Sequence, residues 1–138
     1  MEQAHVHLPL ERLAALEIGP LGATVALFAP IAMVCEEIAV FAYLGPEWRL
    51  LGMRHVPSGL ADAVTISLRE IVTDALAFDC LAVVMAHNHP SGDPTPSNAD
   101  YAFTRRLAYA LDLVGVRLFD HLVIACDGCE SFRQRGLL

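Results

Sequence analysis

The stretch from Leu81 to Asp100 limits the possible folds of this chain more than any other segment. It opens with a continuous apolar run, Leu81 to Ala86, of the kind that fills a strand buried on both faces. That strand delivers His87-Asn88-His89-Pro90-Ser91-Gly92 at its C-terminal end. Two histidines two positions apart on an extended segment project to the same face, so both imidazoles can reach one ion. Pro90, Pro94 and Pro96 then fix most backbone angles of the following loop, and a rigid loop suits ligands that must not move. Asp100 stands where a carboxylate would be the third ligand, with Ser97 between as a helper for a developing oxyanion. Three N/O ligands and a vacant position make the pattern of a catalytic zinc site, since structural sites fill all four positions, usually with thiolates. The vacant position would hold a water, which zinc acidifies toward a pKa of ~7.

Ser97-Asn98-Ala99-Asp100 also reads as a capping box, with serine at the N-cap and an acid at N3 of the next helix. The two roles are compatible if Ser97 caps the helix while Asp100 turns to the metal instead of back to the N-cap amide. That helix is expected over Ser97 to Val114, with Phe103, Leu107, Leu111 and Val114 on its inner face and Gly115 as its stop. Pro20 to Val34 reads as a buried helix, and Glu37 to Leu44 and Trp48 to Val56 as strands joined at Gly45-Pro46. Between Leu60 and Phe78, Val64, Leu68, Ile71, Val72, Ala75 and Leu76 recur on one helical face. Val116 to Ala125 is a strand leading into a terminal hairpin. Helices and strands alternate without repeats or linkers, which predicts one α/β sandwich with a mixed sheet.

The string His87, His89, Ser97, Asp100 resembles the JAMM motif of the JAB/MPN metallohydrolases. Within that superfamily Met85 to Ser97 is very similar to the signature of the bacterial RadC-like group. Phe119 to Ile124 and Ser131 to Leu138 look like that group's last strands. The resemblance covers roughly Pro20 to Leu138, giving a short extension over 1–19 and a RadC-like domain over 20–138 with the MPN (cytidine deaminase-like) fold. It implies a zinc ion on His87, His89 and Asp100, and an upstream glutamate as general base. Glu36 and Glu37 both qualify, and counting along the family's first strand selects Glu37. Leu44-Gly45-Pro46 departs from relatives that commonly place an aspartate entering that turn. The implied reaction is attack of a metal-activated water on a peptide or isopeptide carbonyl, with Ser97 steadying the oxyanion. The expected partner is thus a peptide or protein substrate.

Two alternatives are a metal-dependent nuclease and a non-catalytic interaction module linked to DNA repair, the label the RadC-like group has carried. The formal charge of −7, with nine Lys and Arg among sixteen acids, argues against strong autonomous nucleic-acid binding. Arg117, Arg133 and Arg135 are the nearest thing to a basic patch and read rather as a solvated face on edge strands. RadC-like proteins often carry an N-terminal helix-hairpin-helix region; about twenty residues precede the resembling part, too few for it, so any targeting to DNA that it provides is expected to be absent.

With 138 residues, 55% of them hydrophobic, and a mean hydropathy of +0.47, the chain is apolar enough that a homo-oligomer would hide part of its surface. Its longest apolar stretch, Leu21 to Cys35, is broken by Gly22 and Pro30 and too short to span a bilayer. The N-terminus lacks the basic start of a secretory signal, so the cytoplasm is the expected location. Cys126 and Cys129 form Cys-x-x-Cys, but Asp127-Gly128 between them is a hairpin signal that would place the two on paired strands, with a cross-strand disulfide as the alternative. His121 would support a ligand or line a substrate groove, or simply begin a half-buried strand. His5, His7 and His55 read as surface residues.

Overall fold

The computed structural model describes residues 28–57 and 66–138. Among these residues two helices, α1 (Leu68–Ala77) and α2 (Asn98–Leu113), and five strands, β1 (Ile38–Leu44), β2 (Leu50–Pro57), β3 (Ala82–Asn88), β4 (Arg117–Ala125) and β5 (Gly128–Ser131), form a mixed α/β layer structure. The sheet runs in the order β2-β1-β3-β4-β5. Only β3 and β4 are parallel; every other neighbouring pair is antiparallel. The parallel pair is joined through α2, which is how a crossover returns a strand in the same direction.

β1 and β3 occupy the middle of the sheet and are buried on both faces, so both read as unbroken apolar runs. On one face Ala39, Phe41, Tyr43, Val83 and Met85 pack against Ile71 and Ala75 of α1 and Leu107 and Leu111 of α2. On the other face Val40, Ala42, Leu44, Val84 and Ala86 pack against Phe28 and Ile31, which belong to a short 3-10 segment around Ala29–Met33. The expected helix over Pro20 to Val34 lies otherwise outside the described residues, as does the first part of the helix expected from Leu60. Among the described residues no helix is long and apolar enough to cross a membrane.

Several expectations are corrected by the structure. Trp48 is not in β2; Pro46–Trp48 forms a 3-10 turn in which Glu47 and Trp48 both take φ 58°. The described helix of the 60–78 region begins only after Ser67, whose hydroxyl caps it, and Leu76 is exposed rather than packed. Val114 likewise faces out, because α2 ends just before it, and buried Thr104 takes a place on the inner face. Cys126 lies in the β4–β5 turn itself, since Ala125 pairs with Gly128 and Ile124 with Cys129. The two-residue turn is therefore Cys126-Asp127, one position earlier than the Asp-Gly signal suggests, and all four cysteines are free thiols.

β4 carries one irregularity, and it decides which way His121 points. Val83 pairs with Leu118, but Val84 pairs with Asp120, so Phe119 is an extra residue in the ladder. Strand side chains alternate between faces, and an inserted residue exchanges the faces of everything beyond it. Leu118 packs on the helical side, Phe119 on the other, and after the slip Leu122 and Ile124 join the far face. His121 thereby turns toward α2.

The C-terminus of α2 is closed by a Schellman arrangement: Val116 N–H donates to Leu111 carbonyl oxygen at 2.9 Å and Gly115 N–H to that of Asp112 at 3.0 Å. Gly115 sits at φ +75° with open space around a Cβ position, so an added methyl would meet no neighbour and only backbone strain. Gly115→Ala is expected to lower the unfolding free energy by about 1–2 kcal/mol without altering the fold, measured by chemical denaturation.

Candidate metal centre

β3 carries His87 into the helical face of the sheet, between Ala39 of β1 and Val123 of β4. His89 lies one residue beyond the strand, where its backbone N–H donates to the Ile124 carbonyl at 2.8 Å. The two rings approach edge to face, with Nε2 atoms 2.9 Å apart. Asp100, in the first turn of α2, places Oδ1 3.2 Å from His87 Nε2 and Oδ2 3.3 Å from His89 Nε2. A tetrahedral ion with bonds of about 2.0–2.1 Å separates its donor atoms by about 3.4 Å, close to the two Asp100 distances, with the histidine nitrogens standing somewhat nearer each other.

The donor chemistry points the same way. His89 Nδ1 lies 2.9 Å from the Asp93 carbonyl oxygen, which can only accept, so Nδ1 carries the proton and Nε2 of the neutral ring presents a lone pair. His87 Nδ1 is likewise engaged, 2.6 Å from His121 Nε2. With its remaining nitrogen facing Asp100, the cluster gathers imidazole and carboxylate donors around one point, and this set fits a divalent cation. Such ligands suit zinc and also manganese, iron or cobalt.

Glu37, at the entrance to β1, offers a carboxylate oxygen that groups with a ring nitrogen from each of His87 and His89, all within 4.8 Å of one another. It makes no hydrogen bond or ion pair with either ring among the described residues, unlike Asp100. Between Glu37, His87 and Asp100 lies a cavity of about 20 Å³, walled by Ala39, Ile66, Met85 and Phe103. That is room for one water. Glu36 is exposed to solvent and contributes its backbone carbonyl to a different contact.

That contact comes from Asn88, whose side chain faces the opposite side of the strand from the two histidines. Its Nδ2 donates to the carbonyls of Val34 (3.0 Å) and Glu36 (2.9 Å), and its Oδ1 accepts from Ile38 N–H at 2.7 Å. The residue between the ligands thus holds the backbone on both sides of Glu37. Nothing in the sequence singled out Asn88 for this role. Asn88→Ala, which leaves those backbone groups without their partner, is expected to cost about 2 kcal/mol, read from urea denaturation.

Ser97 and Asp100 form a full capping box: Asp100 N–H donates to Ser97 Oγ at 3.1 Å and Ser97 N–H to Asp100 Oδ2 at 2.7 Å. The expectation that Asp100 turns to the histidines instead of the N-cap amide is therefore corrected. A carboxylate has enough lone pairs for both, and Asp100 uses them. Ser97 itself is exposed at the helix start, and its Oγ, while accepting from Asp100, keeps a proton to donate.

Burial opposes ionisation of Asp100, but the contacts from His87 and His89 outweigh it and hold the carboxyl well below the usual carboxylate range. His89 is pushed up by its contact with Asp100, with burial partly opposing. In the metal-free chain the Asp100–His89 pairing therefore stabilises the fold fully between about pH 3.9 and 6.5, the ordinary values of the two groups. It is lost at lower pH as Asp100 protonates and at higher pH as His89 deprotonates through its raised pKa. The stability difference between the metal-free parent and Asp100→Asn, which keeps an acceptor for Ser97, should peak near pH ~5 in denaturation profiles.

His121 is fully buried and driven well below its ordinary pKa by that burial. It stacks on Phe132 with ring centroids 4.6 Å apart and a 10° interplanar angle. Buried Asp120 fixes this arrangement by accepting from His121 N–H, Arg133 N–H and Ser131 Oγ. Of the C-terminal arginines, Arg133 lies 4.3 Å over the Phe119 ring and Arg135 meets Tyr101 Oη and Glu130. These arginines are engaged locally.

A mixed five-stranded sheet with this cluster at the end of its central strand is the architecture of a JAB-type, hydrolase-like domain. The family model for the RadC-like JAB domain matches residues 23–137, and the chain belongs to that family. Similar proteins include UPF0758 proteins of Bordetella avium (41% identical over 102 residues, 74% of this chain and 45% of the relative) and Vibrio cholerae (42% over 103 residues, 75% and 65%). Another, from Alcanivorax borkumensis, is 41% identical over 128 residues, 93% of this chain and 57% of the relative. The chain spans about half the length of the curated relatives it matches.

Proposed function

We propose that this chain is a zinc-dependent hydrolase of the JAMM type, cleaving an amide bond in a peptide or an isopeptide. The observation that supports this most directly is the convergence of His87 Nε2, His89 Nε2 and the Asp100 carboxylate beside Glu37. Membership of the RadC-like JAB family supports a metal-dependent, hydrolase-like domain. His87, His89 and Asp100 would hold the ion. When bound, zinc would supply a Lewis acid that lowers the pKa of a water to about 7.

The protein's own groups do the rest. Glu37 faces the one-water cavity, takes the proton from the attacking water and returns it to the leaving amine. Its carboxylate keeps its place because Asn88 holds the backbone on either side. Ser97 Oγ donates to the carbonyl oxygen as charge develops there, a contact stronger in the transition state than in the substrate. Hydrogen bonding to Asp100 N–H orients that hydroxyl without using its proton.

Elemental analysis of the purified chain, followed by a panel of peptide and isopeptide substrates, tests the proposal. About one zinc per chain is expected in the parent and little in His87→Ala or Asp100→Ala. Glu37→Gln should keep its zinc while turnover falls by about 10²-fold or more. A parent chain that stays metal-free after zinc is supplied would overturn the proposal, and loss of turnover through Glu36→Gln instead of Glu37→Gln would overturn the choice of base.

A further inference from the structure

We propose that Thr104 and His121 are positioning residues that fix the tautomer and orientation of His87, through a closed ring of contacts beginning and ending at Asp100. The inference rests on the assignment of His87 and Asp100 as metal ligands. Both ends of the ring are acceptors, the Asp100 carbonyl at Thr104 and the Asp100 carboxylate at His87, and the shorter contact, 2.7 Å against 3.2 Å, sets the direction. The Asp100 backbone carbonyl can only accept, and Thr104 Oγ1 lies 2.7 Å from it. Two oxygens at that separation need a proton between them, and only the hydroxyl carries one. Thr104 therefore donates to Asp100.

Each further contact then has one direction. Thr104 Oγ1 has spent its proton, so across the 2.6 Å to His121 Nδ1 it must accept, which makes Nδ1 the protonated nitrogen of His121. A neutral His121 is left with an acceptor at Nε2. His87 Nδ1, 2.6 Å away, must supply the proton there. The lone pair of His87 consequently sits on Nε2, the nitrogen facing Asp100 and His89. Reversing the ring would put a proton on that nitrogen, directed where a cation would bind.

Histidine ligands commonly donate their second N–H to a carboxylate, a backbone carbonyl or water. Here the acceptor is another imidazole, and an imidazole accepts only in one tautomer, so it needs a partner of its own. Thr104 meets that need. His121 reaches the ring because the extra residue Phe119 turns it toward α2, and Phe132 stacked on its face sets its plane. All three side chains of the relay are buried: His87 is 3% exposed, Thr104 2% and His121 0%. Water therefore does not substitute for a missing member.

The test combines the parent chain with two variants. Nitrogen NMR of histidine-labelled, metal-free parent protein is expected to show His87 protonated at Nδ1 and His121 protonated at Nδ1. Finding His87 protonated at Nε2 instead overturns the proposal without any variant being made. Zinc affinity, measured by competition with a chelator, should fall about 10–100-fold in Thr104→Val and stay near the parent value in Thr104→Ser. Equal affinities for Thr104→Val and the parent also overturn it. If Thr104→Val does not fold, Thr104→Ser and the tautomer measurement still decide: a Thr104→Ser chain that loses the Nδ1 tautomer of His87 sinks the idea. A parent that binds no zinc but shows the expected tautomers would refute the metal assignment and leave the ring itself standing.

Discussion

The structure depends on a polar ring placed where the sheet is otherwise apolar. His87 sits in the central strand with Ala39 and Val123 beside it and almost no access to water. An imidazole in such a place must have both nitrogens engaged, because an unmet buried polar atom costs as much as a core substitution. The surrounding elements meet that demand at Nδ1 through His121 and gather Asp100 and His89 around Nε2, where a cation would bind. Asp100 is brought by the first turn of α2, His89 by the rigid loop and His121 by the irregular β4. Each is in turn bound by something else: Ser97, the Asp93 carbonyl and Thr104 respectively. The sheet and α2 are joined by these contacts as well as by the packing of Leu107 and Leu111.

The same logic explains the division of labour within His87-Asn88-His89. Alternation along an extended chain sends the two histidines to one side and Asn88 to the other. On its side Asn88 ties the segment before β1 to β3, so the stretch bearing Glu37 is fastened to the strand bearing the ligands. An asparagine suits this position because it brings both a donor pair and an acceptor to a short reach, matching two carbonyls and one N–H.

How much of this was legible in the sequence depends on the range of the interactions. Spacing along the chain is enough to pair His87 with His89 and to read the Ser97–Asp100 box, because strand and helix periodicities act over two to four residues. The unbroken apolar run of β3 likewise announced a strand buried on both faces. What spacing could not supply was the depth of His121, which depends on a one-residue irregularity in β4, or the use of Thr104, which reads as an ordinary helix residue. Asn88 was hidden for a related reason: its partners lie 50 to 54 residues away. The misplaced turn at Cys126 shows that Asp-Gly is a strong local preference which strand pairing can shift by one position. Leu76 and Val114 failed as core residues because helical periodicity marks a stripe and not its ends.

The slip at Phe119 also sets different tolerances for length and for composition in β4. Beyond the slip, swapping one apolar residue for another on the far face changes packing by a methyl group or two. With the slip retained, losing a single residue before Asp120 would present Leu122 to His87 in place of His121 and set His121 opposite Val84, whereas gaining one would present Asp120 there and set His121 opposite Ala86. Among descendants of this chain, β4 should therefore drift in sequence while its residue count from Arg117 to His121 stays fixed. In that sense the strand behaves as a ruler, and the extra residue as the mark that makes it read correctly.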